Sequence, residues 1–325
     1  MKKLVMVLVV LAAFLITGCA ALSGLFGKGN TGTVEEVTFW DPALLSNVTR
    51  ITNDGLFKEY ANISPDGTKL IYSERKTNNG LWDIVLLRDV NSPAKTTILK
   101  DGSQASWYEN SNGFIYAVYE GSSYKLVRSA ISGGGKTYVT RNADGEVRPS
   151  IRDGIIICNT TENNAHIVSM KDNGTEYTYL GDGHSPSWHP FESKFLFVRG
   201  GNIYEMDMES TQVSEIYNDL DYNCAYPRYS GDGQYILFQK GAEVKVTGTQ
   251  GTSILGNLFN KKAVVSKNDK WQIYYMKADG TGLSPLTNGN VNAQFPSWDK
   301  NNNVYFISDA NGKEEVYRAR INITE

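Results

Sequence analysis

Apolar residues in this chain fall into short runs of strand length separated by polar turns, and the runs recur. Leu70-Ile71-Tyr72, Phe114-Ile115-Tyr116, Ile155-Ile156-Ile157, Phe195-Leu196-Phe197, Ile236-Leu237-Phe238 and Val304-Tyr305-Phe306 each follow the same phrase. That phrase is a small residue or proline, a polar residue, a large apolar landmark and a polar turn. It reads Ala61-Asn62-Ile63, Ala105-Ser106-Trp107, Pro149-Ser150-Ile151, Pro186-Ser187-Trp188, Pro227-Arg228-Tyr229 and Pro296-Ser297-Trp298. The landmarks stand 44, 44, 37, 41 and 69 residues apart. A repeat of roughly forty residues is the period of a propeller blade, and here one unit is lengthened by an insertion.

Each unit carries two more strand signals. A third strand is predicted around Trp82-Asp83-Ile84-Val85, Tyr124-Lys125-Leu126-Val127, His166-Ile167-Val168, Asn202-Ile203-Tyr204, Gln272-Ile273-Tyr274 and Glu315-Val316-Tyr317. Turns such as Asp172-Asn173-Gly174 and Asp279-Gly280-Thr281-Gly282 then lead to outer strands near Leu99, Val139, Leu180, Ile216 and Leu286. The last unit has no outer strand of its own. Ile51 stands 12 residues before its landmark, as Leu286 does, and Thr52-Asn53 echoes Thr287-Asn288. The fold expected is therefore all-β, a six-bladed propeller closed by an N-terminal outer strand, which removes open sheet edges.

Ser64-Pro65-Asp66-Gly67-Thr68-Lys69-Leu70, its imperfect copy Ser230-Gly231-Asp232-Gly233, and Lys277-Ala278-Asp279-Gly280-Thr281-Gly282 before Leu286-Thr287 resemble the repeats of TolB-type propellers over residues 47–325. The resemblance implies a six-bladed ring used as a binding platform. The family's type member is periplasmic and contacts an outer-membrane lipoprotein. That protein carries an α/β domain ahead of its propeller; here fewer than thirty residues separate Cys19 from the first strand at residue 47, and no such domain is expected.

The N-terminus reads as an export signal over residues 1–18. Lys2 and Lys3 precede an apolar run from Leu4 to Ile16, which is short for a membrane span. Leu15-Ile16-Thr17-Gly18-Cys19 resembles a bacterial lipobox, which implies lipidation at Cys19, palmitate included, and anchoring to a membrane through the lipid. Residues 19–46, with Gly24, Gly27, Gly29 and Gly32, read as a flexible tether. Ala20 beside the lipidated cysteine, with no aspartate there, favours sorting to the periplasmic face of the outer membrane if the cell has two membranes.

Charge changes this picture little. Thirty-two basic residues against 35 acidic ones give a net charge of −3, with no basic stripe for a nucleic acid. Cys158 and Cys224 fall in different units and are expected as buried thiols, not a disulfide. His166, His184 and His189 are the only imidazoles. His184 and His189 are five apart, an odd offset that sends two strand residues to opposite faces, so neither a metal site nor a cofactor is expected. Gly183-His184-Ser185-Pro186-Ser187 lacks the second glycine of a nucleophile elbow. Ser132-Gly133-Gly134-Gly135-Lys136-Thr137 lacks the leading glycine of a phosphate loop and sits where other units have a hairpin turn. Most aspartates lie in Asp-Gly or Asn-Asp turns, where they cap local backbone. No catalytic residue is assigned.

Loops leading into the innermost strands converge on one mouth of a propeller channel, and here they present Glu59, Tyr60, Gln104, Arg148, His184, Tyr226 and Gln294. Aromatic and arginine side chains in a concave site make strong anchors. A second candidate lies in the insertion, about 242–270, where Ile254, Leu255, Leu258 and Phe259 share one face of a short helical pattern; Leu258 and Phe259 are its binding candidates. The expected function is an envelope protein that binds a protein partner, with an envelope enzyme or carbohydrate-binding protein as the alternative.

Overall fold

The computed structural model describes residues 38–140, 144–161, 165–244 and 270–323. All regular elements are strands, and they form six antiparallel four-stranded sheets. Blade one holds β2 (Phe57–Ile63), β3 (Leu70–Arg75), β4 (Asp83–Asp89) and β5 (Ser92–Leu99). Blade two holds β6 (Gly102–Trp107), β7 (Gly113–Glu120), β8 (Ser123–Ala130) and β9 (Thr137–Tyr138). Blade three holds β10 (Val147–Arg152), β11 (Ile155–Asn159), β12 (His166–Lys171) and β13 (Thr178–Asp182). Blade four holds β14 (His184–Trp188), β15 (Lys194–Arg199), β16 (Asn202–Asp207) and β17 (Val213–Tyr217). Blade five holds β18 (Tyr222–Tyr229), β19 (Tyr235–Val244), β20 (Trp271–Lys277) and β21 (Ser284–Pro285). In blade six, β22 (Ala293–Trp298), β23 (Asn303–Ser308) and β24 (Glu315–Ile321) are completed by β1 (Leu45–Arg50). The first strands touch in the cyclic order β2, β6, β10, β14, β18, β22 and back to β2, so they form the inner wall of the ring.

Six apolar clusters fill the spaces between neighbouring blades, which explains why the second strands read as apolar runs and not as alternating patterns. Successive strand side chains point to opposite faces, and in a middle blade strand both faces are covered. Phe195 and Phe197 pack with Ile157 and Ile167 of blade three, while Leu196 between them packs with Ile236 and Phe238 of blade five. Burying one such side chain contributes about 1.5–3 kcal/mol. The landmark tryptophans are pinned from one blade to the one before. Trp107 Nε1 donates to Asn62 O at 2.9 Å, Trp188 Nε1 to Ile155 O at 3.2 Å and Trp298 Nε1 to Tyr229 O at 2.8 Å.

The ring closes as the strand spacing predicts. β1 runs antiparallel to β24, with Leu45 opposite Ile321 and Arg50 opposite Tyr317, and Ile51 N continues the pairing to Val316 O at 2.7 Å. Contacts begin earlier than residue 47: Trp40 bridges Thr287, and the Phe39 ring lies 5.3 Å from that of Tyr317. Thr52 Oγ1 accepts from Val316 N, as Thr287 Oγ1 accepts from Ile273 N and Thr140 Oγ1 from Leu126 N, so the sequence echo is a repeated hydrogen bond. Behind the seam Lys58 Nζ lies 2.5 Å from Asp54 Oδ1 and 3.1 Å from Glu315 Oε2, fully buried.

Turn aspartates cap backbone as expected: Asp66 Oδ1 accepts from Thr68 N and Asp232 Oδ1 from Gln234 N. The glycine-rich stretch Ser132 to Gly135 is a hairpin turn in which Gly133 N donates to Ala130 O, matching Gly174 N to Lys171 O and Gly280 N to Lys277 O. Those three glycines sit directly on the preceding blade. A Cβ there would stand 2.3, 2.0 and 2.3 Å from the carbonyls of Ile98, Val139 and Ile216. Cys158 and Cys224 are both buried, outside any disulfide among the described residues, the latter within β18.

Candidate functional site

Each innermost strand carries one left-handed residue at an equivalent place: Tyr60, Gln104, Arg148, Ser185, Tyr226 and Phe295, with φ between 53° and 58°. At each the ladder to the second strand slips, between Glu59 and Asn62 in blade one and at the matching points in the other five. This is a β-bulge, an extra residue that breaks the alternation and re-aims a side chain. The next residue is Ala61, Ala105, Pro149, Pro186, Pro227 or Pro296. Proline suits that position because the bulge leaves an amide outside the ladder, and proline has none to satisfy.

Several amides of the left-handed residues are bonded by buried polar side chains of a second strand. Ser73 Oγ accepts from Gln104 N at 3.1 Å, Asn159 Oδ1 from Ser185 N at 3.1 Å and Gln239 Oε1 from Phe295 N at 2.8 Å. Gln104 in turn accepts from Arg148 N at 2.9 Å. Ser73, Asn159 and Gln239 were not among the expected site residues. Their signal was in the sequence, as a buried polar residue ending an apolar strand run.

The bulges turn their side chains toward the ring axis. Tyr60, Tyr226 and Phe295 pack ring to ring, with centroids 4.7, 4.9 and 5.4 Å apart, and the two phenol oxygens lie 3.0 Å apart. Arg148 Nε donates to Tyr60 Oη at 3.2 Å, and its guanidinium stands 5.5 Å from the Tyr226 ring centre. This waist leaves a cavity of about 20 Å³, bordered also by Gln104, Ser185 and Arg228. Burial pushes the Tyr60 phenol far up, reinforced by Tyr226. Burial works against the charge on Arg148, but the two phenols and Glu59 outweigh it and hold it firmly protonated.

Above the waist, between blades four, five and six, a cleft of about 530 Å³ opens at the mouth. His184 and Gln294 line it together with Arg148, Tyr226, Asn223 and Trp271. The expected set therefore separates into two levels. Tyr60, Gln104, Arg148 and Tyr226 form the waist, and the waist positions of blades four and six belong to Ser185 and Phe295, one residue after His184 and Gln294. All of these lie inside the innermost strands and not in the loops before them. The Gly200-Gly201 tip of the β15–β16 hairpin borders the cleft with no side chain to fill it. Leu258 and Phe259 lie outside the described residues.

His184 is kept neutral: burial, helped by Arg148, lowers its pKa to about 4, and Nδ1 sits 3.0 Å from Ser185 Oγ. Glu59 is a carboxyl kept protonated, because burial pushes it up to about 8 against the opposing pull of Arg75 and Arg148. Such a lining offers aromatic faces, one firmly charged guanidinium and neutral hydrogen-bonding groups, which suits recognition of an extended or polar partner surface. The Gly183–Ser187 stretch forms the end of blade three's outer connection and β14, a strand and not a strand-to-helix turn. Among the described residues no group of three His, Cys, Asp or Glu side chains stands close enough to hold a metal ion.

Neither a family model nor a curated protein matches the sequence. Solved structures do resemble it. A putative TolB from Agrobacterium tumefaciens aligns at 13% identity over 85% of this chain and 97% of its own, with a TM-score of 0.59. TolB from Acinetobacter baumannii aligns at 13% identity over 79% of this chain and 66% of its own, with a TM-score of 0.57. A gluconolactonase from Xanthomonas campestris aligns at 10% identity over 86% of this chain and 91% of its own, with a TM-score of 0.60. At such identities the likeness is one of fold, and it is shared by binding proteins and enzymes. The chain is a six-bladed β-propeller closed by its N-terminal strand, and TolB propellers are among its structural neighbours.

Proposed function

We propose that this protein is an exported propeller, anchored by a lipid on Cys19, that binds a protein partner in the cell envelope through the mouth of its channel. The observation that carries the reading is the 530 Å³ cleft bordered by Trp271, Tyr226 and Arg148, residue types that anchor interfaces because they bury much area at little cost in side-chain freedom. The cleft stands on rigid strands above a packed waist, so its groups are held in place before a partner arrives, which lowers the entropy lost on binding. The TolB neighbours support a binding role by fold, and the periplasmic face of the outer membrane fits the residues around Cys19.

The test is affinity capture after crosslinking in envelope preparations. Wild type should retain a specific partner, and Trp271→Ala should lose at least tenfold of it with unchanged thermal unfolding. Equal capture by the two proteins would overturn the assignment of the cleft. An enzyme reading gains support only if a small substrate turns over and Trp271→Ala changes that turnover.

A further inference from the structure

Arg228 is out of place in the repeat. It occupies the position just before the landmark, where the other blades carry Asn62, Ser106, Ser150, Ser187 and Ser297. Those short side chains stitch neighbouring blades: Ser297 Oγ accepts from Ile63 N, Ser150 Oγ from Trp188 N, and Asn62 Nδ2 donates to Ala105 O. In blade five a guanidinium stands there instead. It borders the waist cavity with Tyr60, Tyr226 and Arg148, and it makes no hydrogen bond or ion pair with any described residue. The titratable groups acting on it are the two phenols, with no carboxylate among them.

Two guanidiniums, those of Arg148 and Arg228, border the waist cavity and among the described residues no carboxylate lines it, so a counter-charge there is favoured by both. The hydrogen-bond inventory supplies a second donor. Two phenols carry two O–H groups; one closes the 3.0 Å contact between Tyr60 and Tyr226, and the other is left to donate. Tyr60 Oη already accepts from Arg148. The cavity of about 20 Å³ exceeds what a single water-sized occupant needs, and it is too small for a sugar, a nucleotide or a tetrahedral oxyanion.

We propose that the channel waist is an anion site, in which a monatomic monovalent anion of the size of chloride is held by Arg228 and the spare phenol proton of the Tyr60–Tyr226 pair. Such an ion neutralises the Arg228 guanidinium, which makes no hydrogen bond or ion pair with the described residues around the waist. It would tie blade five to blade one across the axis. The site shares Arg148, Tyr226 and Phe295 with the lining of the mouth cleft, and its tests read the ion directly without any partner.

Two measurements on the mature chain test this. Crystals soaked in bromide should show an anomalous peak within hydrogen-bonding distance of the Arg228 guanidinium. A wild-type waist holding only water, or with no peak, overturns the proposal whether or not any variant folds. In solution at constant ionic strength, the unfolding temperature should rise when sodium gluconate is replaced by chloride or bromide, since gluconate does not fit the cavity. Arg228→Gln should abolish that dependence. A halide effect of equal size in Arg228→Gln, or a peak seen only at soaking concentration with no halide effect in solution, would mark an adventitious ion and overturn it.

Discussion

Glu59 and Gln239 show how much of the site depends on single buried polar groups. Glu59 holds a proton in the folded chain up to about pH 8, whereas an unfolded glutamate releases it near 4.5. The folded state therefore binds more protons between those values, and stability falls as pH rises from about 4.5 to about 8. Its neighbours Arg75 and Arg148 oppose this shift, and Glu314 adds to it. Glu59→Gln should match wild type in thermal unfolding at pH 4 and exceed it at pH 8; parallel profiles would contradict the burial of that carboxyl. Gln239 Oε1 is the acceptor for the Phe295 amide. Gln239→Leu should destabilise by about 1–3 kcal/mol in denaturant unfolding, because a buried donor loses its partner; a change near zero would mean that the bulge amide finds another.

Strand elements were largely legible in the sequence, and the reason is double-sided burial. Apolar runs such as Phe195-Leu196-Phe197 and the landmark spacing both follow from blades packed face to face, so each residue carries the signal of its own cluster. The inward-facing position was less legible. Placing the mouth residues in the loops before the innermost strands gives His184 and Gln294 in blades four and six, but a bulge inserts a residue and moves the axis-facing role to Ser185 and Phe295. Nothing in the composition of those residues announces a left-handed φ, since none is glycine. The proline that follows and the polar residue that ends the apolar run of the second strand are the two local signs.

The closing strand is likewise legible, from Thr52-Asn53, while its support by Lys58 needed coordinates. Lys58→Met should cost about 3–5 kcal/mol by leaving buried Glu315 without its cation; a loss below 1 kcal/mol would contradict that role. Deleting residues 45–51 should expose the edge of β24, lower the unfolding temperature and promote self-association. A monomer with unchanged unfolding would argue against closure. Asp54 adds a pH limit: burial disfavours its charge, yet Lys58 and Lys95 outweigh this and hold it at about 2. Its share of stability is present above about pH 4 and is lost as pH falls toward 2.

At the scale of the molecule, the ring offers two faces. The mouth carries the cleft, and the turns between first and second strands, such as Ser230 to Gln234, mark the opposite rim. Membrane attachment through Cys19 is an independent expectation. Cys19→Ala should shift the protein from the membrane to the soluble fraction without altering its unfolding, and retention of both variants on membranes would remove the lipid from the account. The most direct test of the central claim places a photo-crosslinking side chain at Gln294 in the mouth or at Gln234 on the opposite rim, in living cells. The account predicts a discrete crosslinked envelope protein from position 294 and none from position 234. Equal products from both positions, or a product from 234 alone, would contradict it.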